Sequence, residues 1–198
     1  MSIDKQLFEG KLIRLAPIDH EKDPEVESHW THDLSLLRSL WRRPAMPLSV
    51  AQVKKKYEAI EKEVDESKRL FHFTIRGRED NRLLGFVRIE GIEWTHGTAN
   101  LKIAIGDPAE RDKGYGSETL QLILRFAFRE LNLYRMSAVV SGDNPDAQRF
   151  FLRYGFVEEV RRRKAILRDG QTWDSIHLGL LRDEWLSMNG KEGDQNEK

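Results

Sequence analysis

Cysteine is absent from the 198 residues. That excludes disulfides, thiolate zinc sites and a cysteine nucleophile, and it fits a cytoplasmic protein. Net charge is absent as well, with Lys plus Arg and Asp plus Glu at 33 each. A balanced chain is not expected to be a dedicated nucleic-acid binder. No apolar run comes near the roughly 18 residues of a membrane span. The opening Met1-Ser2-Ile3-Asp4-Lys5 has no basic segment followed by an apolar one, so no signal peptide is expected. His29 and His32 stand without a nearby cysteine or matched carboxylate pair, so no metal is expected. No internal repeat is visible. What remains is a length suited to one domain, expected over residues 1–187, with a disordered polar tail over 188–198.

Read in order, the chain begins with a strand over 11–16 that Pro17 ends. A helical stretch follows over about 22–41, its first half acidic. The acidic residues of 19–33 either attract a cationic amine or form a solvated face. Ser49 and Gln52 make a capping box for the next helix, whose Val53, Tyr57, Ile60 and Val64 share one face. From Leu70 the period becomes that of strands. Leu70–Ile75, Leu83 to about Trp94 and Thr98–Ile105 should pair antiparallel, because their connections are too short for crossovers. Leu120, Ile123, Leu124, Ala127, Phe128 and Leu131 then mark an amphipathic helix. The strand over 134–140 completes a βαβ unit, so it should run parallel to 98–105. A short helix from Pro145 to about Tyr154 stops at Gly155. Two last strands, 156–166 and 173–181, are joined at Arg168-Asp169-Gly170.

Between the third of those strands and the amphipathic helix lies Arg111-Asp112-Lys113-Gly114-Tyr115-Gly116-Ser117-Glu118. The first amides of a helix have no intrahelical partner, and glycine lets a ligand approach the main chain. The stretch therefore predicts a phosphate or pyrophosphate cradle, or else an ordinary strand-to-helix turn. The pattern G-x-x-x-x-G-K-[ST] is missing, and G-x-G-x-x-G fails at Thr119. What stands is R-x-x-G-x-G, which resembles the acetyl-coenzyme A loop of the GNAT superfamily of N-acetyltransferases. Asn144-Pro145-Asp146-Ala147-Gln148-Arg149-Phe150-Phe151-Leu152-Arg153-Tyr154-Gly155-Phe156 resembles a second segment of that superfamily, N-x-x-A/S-x-x-x-Y-x-x-x-G-F. The two occur in the family's order, one βα unit apart. The C-terminal stretch 165–185 is similar to the endings of ribosomal-protein N-terminal and spermidine acetyltransferases.

The resemblance implies an α/β (α+β) fold, a GNAT-type mixed, mostly antiparallel twisted sheet of six to seven strands with about four helices on both faces. It implies acetyl transfer from acetyl-CoA to a primary amine, in a protein N-terminus, a polyamine or a small molecule, and a homodimer. The cofactor's pyrophosphate would sit on the amides of Arg111, Asp112, Lys113, Gly114, Tyr115, Gly116 and Ser117, with charge from Arg111 and Lys113. Its pantetheine arm would pair beside Ile103, Ala104 and Ile105, where a main-chain amide stabilises the developing oxyanion. Asn144 would hydrogen-bond the arm, with Ala147 and Phe151 also on the cofactor side, Asn144 reading as a helix N-cap as well.

Two positions depart from the family pattern. Phe151 stands where many members carry a tyrosine acid, leaving Tyr154 as a candidate one turn on. Asn100 stands where a glutamate base is common, leaving Glu90 and Glu93 as candidates on the preceding strand. The missing base leans toward an N-terminal amine, whose pKa of about 7.7–8.0 leaves it partly neutral at pH 7, or toward a small aminated compound. The departures also support a second reading, a non-catalytic acetyl-CoA-binding module. A third, a nucleotide-binding regulator, would require ATP rather than coenzyme A to stabilise the fold. The basic run Arg161–Lys164 contacts either the cofactor's 3′-phosphate or an RNA-bearing partner, or else protects an exposed edge.

Overall fold

The computed structural model describes residues 7–40 and 44–189. Its strands are β1 (Ile13–Ala16), β2 (Leu70–Gly77), β3 (Leu83–Glu93), β4 (Thr98–Ile105), β5 (Arg135–Ser141), β6 (Val157–Arg168) and β7 (Gln171–Leu181). They form one sheet in the order β1-β2-β3-β4-β5-β7-β6. Every neighbouring pair is antiparallel except β4 and β5. The mixed sheet expected from the short connections and the single βαβ unit is therefore present. Asp169 and Gly170 both take positive φ, 50° and 74°, and close a tight β6–β7 hairpin whose strands run further toward the turn than expected.

Six α-helices stand among the described residues: α1 (Asp23–Trp30), α2 (Leu34–Leu40), α3 (Val50–Ser67), α4 (Tyr115–Arg125), α5 (Pro145–Arg153) and α6 (Arg182–Asn189). About four were expected, and two findings explain the difference. The helical stretch over 22–41 is broken at Thr31–Asp33, because the Asp33 carboxylate accepts from the Ser35 and Leu36 amides at 2.9 and 3.1 Å and caps a new helix. Trp41, the end of that stretch, lies outside the described residues. At the C-terminus, Trp185 is buried against Phe128, ring centroids 5.4 Å apart, and anchors α6. Positions 188 and 189, expected in the polar tail, form the last turn of that helix. The remainder of the expected tail, 190–198, lies outside the described residues.

The two faces of the sheet differ. Phe71, Phe73, Val87, Ile89, Leu101 and Ile103 point to one side, where they join the main core with residues of α4, α5 and α6. The intervening residues of the same strands point the other way, as strand alternation requires. There Phe86 and Ala104 meet Leu36 of α2, and Leu70 meets Val53 and Tyr57 of α3. The helix α4 runs on into a π turn, Phe126–Glu130. Phe126 sits there among Phe8, Phe71 and Phe73, with centroids 5.4, 5.4 and 5.5 Å away. That aromatic cluster fixes α4, and so fixes where its first turn points.

Candidate active site

The N-terminus of α4 is built to stay open. Gly114, its N-cap, has φ 88°, a left-handed conformation that costs glycine little, and no side chain caps the helix. The helices α3 and α5 are closed by side chains. At α3 the Ser49 hydroxyl accepts from the Gln52 amide while the Gln52 side chain accepts from the Ser49 amide. At α5 the Asn144 side chain accepts from the Ala147 amide at 3.0 Å. The first amides of α4, on Tyr115, Gly116 and Ser117, are thus offered to an anion with the positive end of the helix dipole behind them. Glu118, in the same first turn, accepts from the amides of Lys11, Leu12 and Ile13 at 2.6, 2.7 and 2.9 Å. Its carboxylate is committed to the entry of β1 rather than to the loop.

The charged side chains of the loop are differently placed from each other. Lys113 is half exposed and pairs with Glu110 at 3.2 Å. The Arg111 guanidinium instead donates to Asp33 at 2.9 Å and to the carbonyls of Ile105 and Gly106 at 3.4 and 3.3 Å. It joins the loop to the α1–α2 break. Burial alone would raise the Asp33 carboxyl, yet the Leu36 amide and Arg111 hold it below its ordinary value. Asp112 takes φ 62° and is exposed.

Beside the loop the sheet opens. β4 and β5 pair only at Thr98–Arg135, Ala99–Met136 and Asn100–Ser137. Beyond that point β4 keeps its β3 partner on one edge, through Ile105–Gly85, while no strand among the described residues pairs with its other edge. Lys102, Ile103, Ala104 and Ile105 therefore border a gap that leads to the α4 N-terminus. A backbone edge of this kind can take an extended, amide-bearing chain as an added strand. Four residues beyond the last pair, Ala104 stands on one strand and Ser141 on the other. Ser141 is buried, and its hydroxyl has no hydrogen-bond partner among the described residues. On the α4 side, α5 flanks the loop: a Cβ on Gly116 would lie 3.8 Å from the Phe150 ring.

The opposite face carries the charges. Glu90 pairs with Lys102 at 2.7 Å, and Arg88 donates from Nε to His72 Nδ1 at 2.8 Å. Burial, then Arg88 and Lys56, holds the His72 imidazole well below its ordinary pKa. Asp23 takes both contacts of Arg76 Nη2, at 2.8 and 2.7 Å, with both residues buried. Glu27 is buried too. It accepts from the Tyr57 hydroxyl at 2.5 Å and pairs with Lys56. Burial, then Glu27, pushes the Tyr57 phenol far above its usual range, so it remains a donor. Part of the acidic stretch 19–33 is thus neither a solvated face nor a free attractant. Asp23 and Glu27 are interior ion-pair partners, and Asp33 is a cap and an Arg111 partner.

The sequence profile of the acetyltransferase (GNAT) domain matches residues 13–157. The chain belongs to the GNAT acetyltransferase family. It is an N-acetyltransferase that uses acetyl-CoA, and the open helix end and the unpaired β4 edge fit that co-substrate. The SPbeta prophage-derived uncharacterized N-acetyltransferase YokL of Bacillus subtilis is 29% identical over 133 residues, 67% of this chain and 73% of that protein. Spermidine N(1)-acetyltransferase of Vibrio cholerae is 27% identical over 115 residues, 58% of this chain and 65% of that protein. The crystal structure of spermidine N-acetyltransferase from Vibrio cholerae in complex with CoA and spermine superposes with a TM-score of 0.76 at 20% identity, covering 89% of this chain and 99% of that one.

Within this family fold, the residues expected from sequence gather in part. Ile103, Ala104 and Ile105, the loop 111–117 and the helix bearing Asn144 and Ala147 lie around one gap. Arg111 points its charge elsewhere than expected. Phe151 is buried in the core, its ring 5.3 Å from Phe150 and 5.1 Å from Phe156, and Tyr154 ends α5 against Phe150 at 5.4 Å. Glu90 lies on the polar face; Glu93, beyond a register shift, is exposed. The basic run lies on β6, an edge strand, where Arg161 pairs with Glu158 and Asp174. Sequence reasoning passed over Ser141, Phe86 and the buried role of Glu27. Only the register of β4 against β5 could have singled out Ser141.

Proposed function

We propose that the protein moves the acetyl group of acetyl-CoA directly to a primary amine, with the amine arriving from the α1–α3 side of the sheet. The observation that carries this reading is the gap beyond Asn100 and Ser137, which ends at an uncapped helix N-terminus. When bound, acetyl-CoA supplies an activated thioester. The amides of 114–117 hold its diphosphate, and the free edge of 102–105 aligns the arm and presents an amide to the carbonyl oxygen as charge develops there. Asn144 both caps α5 and borders the arm. Arg111 holds the loop against Asp33 rather than contacting phosphate.

Glu90 is the proposed proton acceptor, acting through water, because it shares the polar face with Lys102 and Ala104. Glu93 is the second candidate. Ser141 and Tyr154 are the candidate donors to the sulfur, since Phe151 has no hydroxyl. A protein N-terminus, a polyamine and a small-molecule amine are all acceptors of this chemistry. A cytoplasmic location and a homodimer belong to the same reading. The exposed outer edge of β6, with Val157, Val160 and Leu167, is one surface open to self-association. No helix among the described residues is long and apolar enough to cross a membrane.

Thiol release from acetyl-CoA, measured over an amine panel and a pH series, tests the proposal. Turnover should rise with pH as the amine loses its proton. Tight cofactor binding without turnover on any amine would favour the alternative of a non-catalytic acetyl-CoA-binding module.

A further inference from the structure

A cavity of about 550 Å³ opens between α1, α2, α3 and the segment 44–48. That is within the range of small-molecule sites, about 300–1,000 Å³. Its described walls are mainly apolar: Trp30, Leu36, Leu40, Met46, Leu48 and Phe86. The cavity abuts the place where the acetyl group is to be delivered. Leu36, Phe86 and Ala104 form one packed cluster, with Trp30 and Leu40 against it. Phe86 pairs with Ala104 in the β3–β4 register. Trp30 lies so close to the end of β4 that a Cβ on Gly106 would meet its ring at 2.0 Å.

The charges of the lining point to one kind of guest. Among its described residues, the charged ones are Glu27, Lys55 and Lys56. The Glu27 carboxylate already has the Lys56 ammonium and the Tyr57 hydroxyl on it. No second carboxylate waits there for a second ammonium, and Lys55 adds a positive charge at the wall. A cation entering an apolar site without a counter-charge is strongly disfavoured.

We infer that the acceptor is a primary amine with an apolar body and a single positive charge, not a polyamine. This rests on the acetyl-transfer reading above. The amine end lies at Ala104 and the body fills the cavity between Trp30, Leu40 and Phe86. A free apolar amine and a peptide N-terminus with an apolar first side chain share this chemistry.

The test measures kcat/KM for n-alkylamines from ethyl to octyl, phenethylamine, a Leu-initiated and a Ser-initiated peptide, and spermidine. Binding of hexylamine to the CoA complex is measured separately by calorimetry. The expected result is a rise of about fourfold per added methylene until the cavity is full, with spermidine far below hexylamine. The ratio of Leu-initiated peptide to alkylamine tells the two sources apart. Leu40→Trp should lower kcat/KM for hexylamine more than for ethylamine while CoA affinity is kept. Lys55→Glu, on an exposed residue of the cavity wall, should raise the ratio of spermidine to hexylamine kcat/KM.

Spermidine turned over as well as hexylamine, with no dependence on chain length, would overturn the inference and leave acetyl transfer intact. A preference for octanoyl-CoA over acetyl-CoA that Leu40→Trp removes would also overturn it, by giving the cavity to the donor. Absence of turnover with every amine, together with no binding of hexylamine, would overturn this inference and the acetyl-transfer reading together.

Discussion

The face of the sheet turned toward α4 carries Phe71, Phe73, Val87, Ile89 and Leu101, whereas the face turned toward α1–α3 carries His72, Arg76, Arg88, Glu90 and Lys102. The first side is held by burial, and what it offers a ligand is backbone: an uncapped helix end and a strand edge left unpaired among the described residues. The second adds, to the apolar contacts of Leu70, Phe86 and Ala104 with α2 and α3, ion pairs between side chains far apart in the sequence. Asp23 and Arg76 are 53 residues apart, Arg111 and Asp33 are 78, and Arg38 and Asp169 are 131. On the proposed reading, donor recognition should tolerate change in most side chains, provided the glycines stay. Acceptor recognition depends on which side chains meet, so it can vary while the sheet is kept.

The largest effect expected is on the side-chain face. Asp23→Asn leaves Arg76 charged and buried without its partner, so unfolding should be easier by about 3–5 kcal/mol. CoA affinity at a temperature where the variant is folded should change little. Equal loss of CoA affinity would erase the distinction between the faces, and calorimetry beside a denaturant titration reads both.

Next come the loop glycines. Gly114→Val and Gly116→Val should each weaken CoA binding by about a hundredfold or more, roughly 2.7 kcal/mol. They should differ in the free protein. Gly114 has φ 88°, so a side chain there strains the backbone and should lower the melting temperature. Gly116 has no such φ and a Cβ would find ordinary contact at 3.8 Å, so the fold should hold. A Gly116→Val protein that binds CoA normally would remove the loop from the site.

A smaller effect is tied to pH. Burial holds the His72 imidazole below its ordinary value, so the folded protein keeps it neutral while the unfolded chain protonates near pH 6.5. Below that pH the unfolded state binds the extra proton, and stability should fall by up to about 1.4 kcal/mol per pH unit. Above it this dependence should vanish. Denaturant titrations at successive pH values check the slope, and His72→Gln should flatten it.

The smallest effect is expected where the β6–β7 hairpin meets α2. Arg38 forms two hydrogen bonds to Asp169, at 2.6 and 3.0 Å, and Arg168 donates to the Arg38 carbonyl at 2.5 Å. Both Arg38 and Asp169 face solvent, so Arg38→Ala should leave stability nearly unchanged. Because α2 walls the acceptor cavity, its effect should fall on KM for the amine and not on KM for acetyl-CoA.

The contrast between the faces also explains what could be read in advance. The strands, α3 with its capping box, α4 and the two glycines are local patterns, and Asn144 capping α5 is one too. The break at Asp33 was hidden because Asp33 lies inside a run with helical spacing, and the competing cap only shows as hydrogen bonds. Arg111 looked like a phosphate ligand because its place in the motif is right. Its guanidinium goes to Asp33, a partner the motif does not contain. Asp23 and Glu27 read as surface charges until α3 and β2 brought Lys56, Tyr57 and Arg76 to them. The helix α6 has little periodicity, and Trp185 is its one buried residue among those described.

The central claim is that backbone groups at the α4 N-terminus and along the free edge of β4 hold the donor. Its most direct test is a titration of the ¹⁵N-labelled protein with CoA, following the amides of 113–117 and 102–105. Both sets should shift together and saturate with one affinity, while the amides of α3 stay in place. Saturable CoA binding that leaves both sets unmoved would contradict the account.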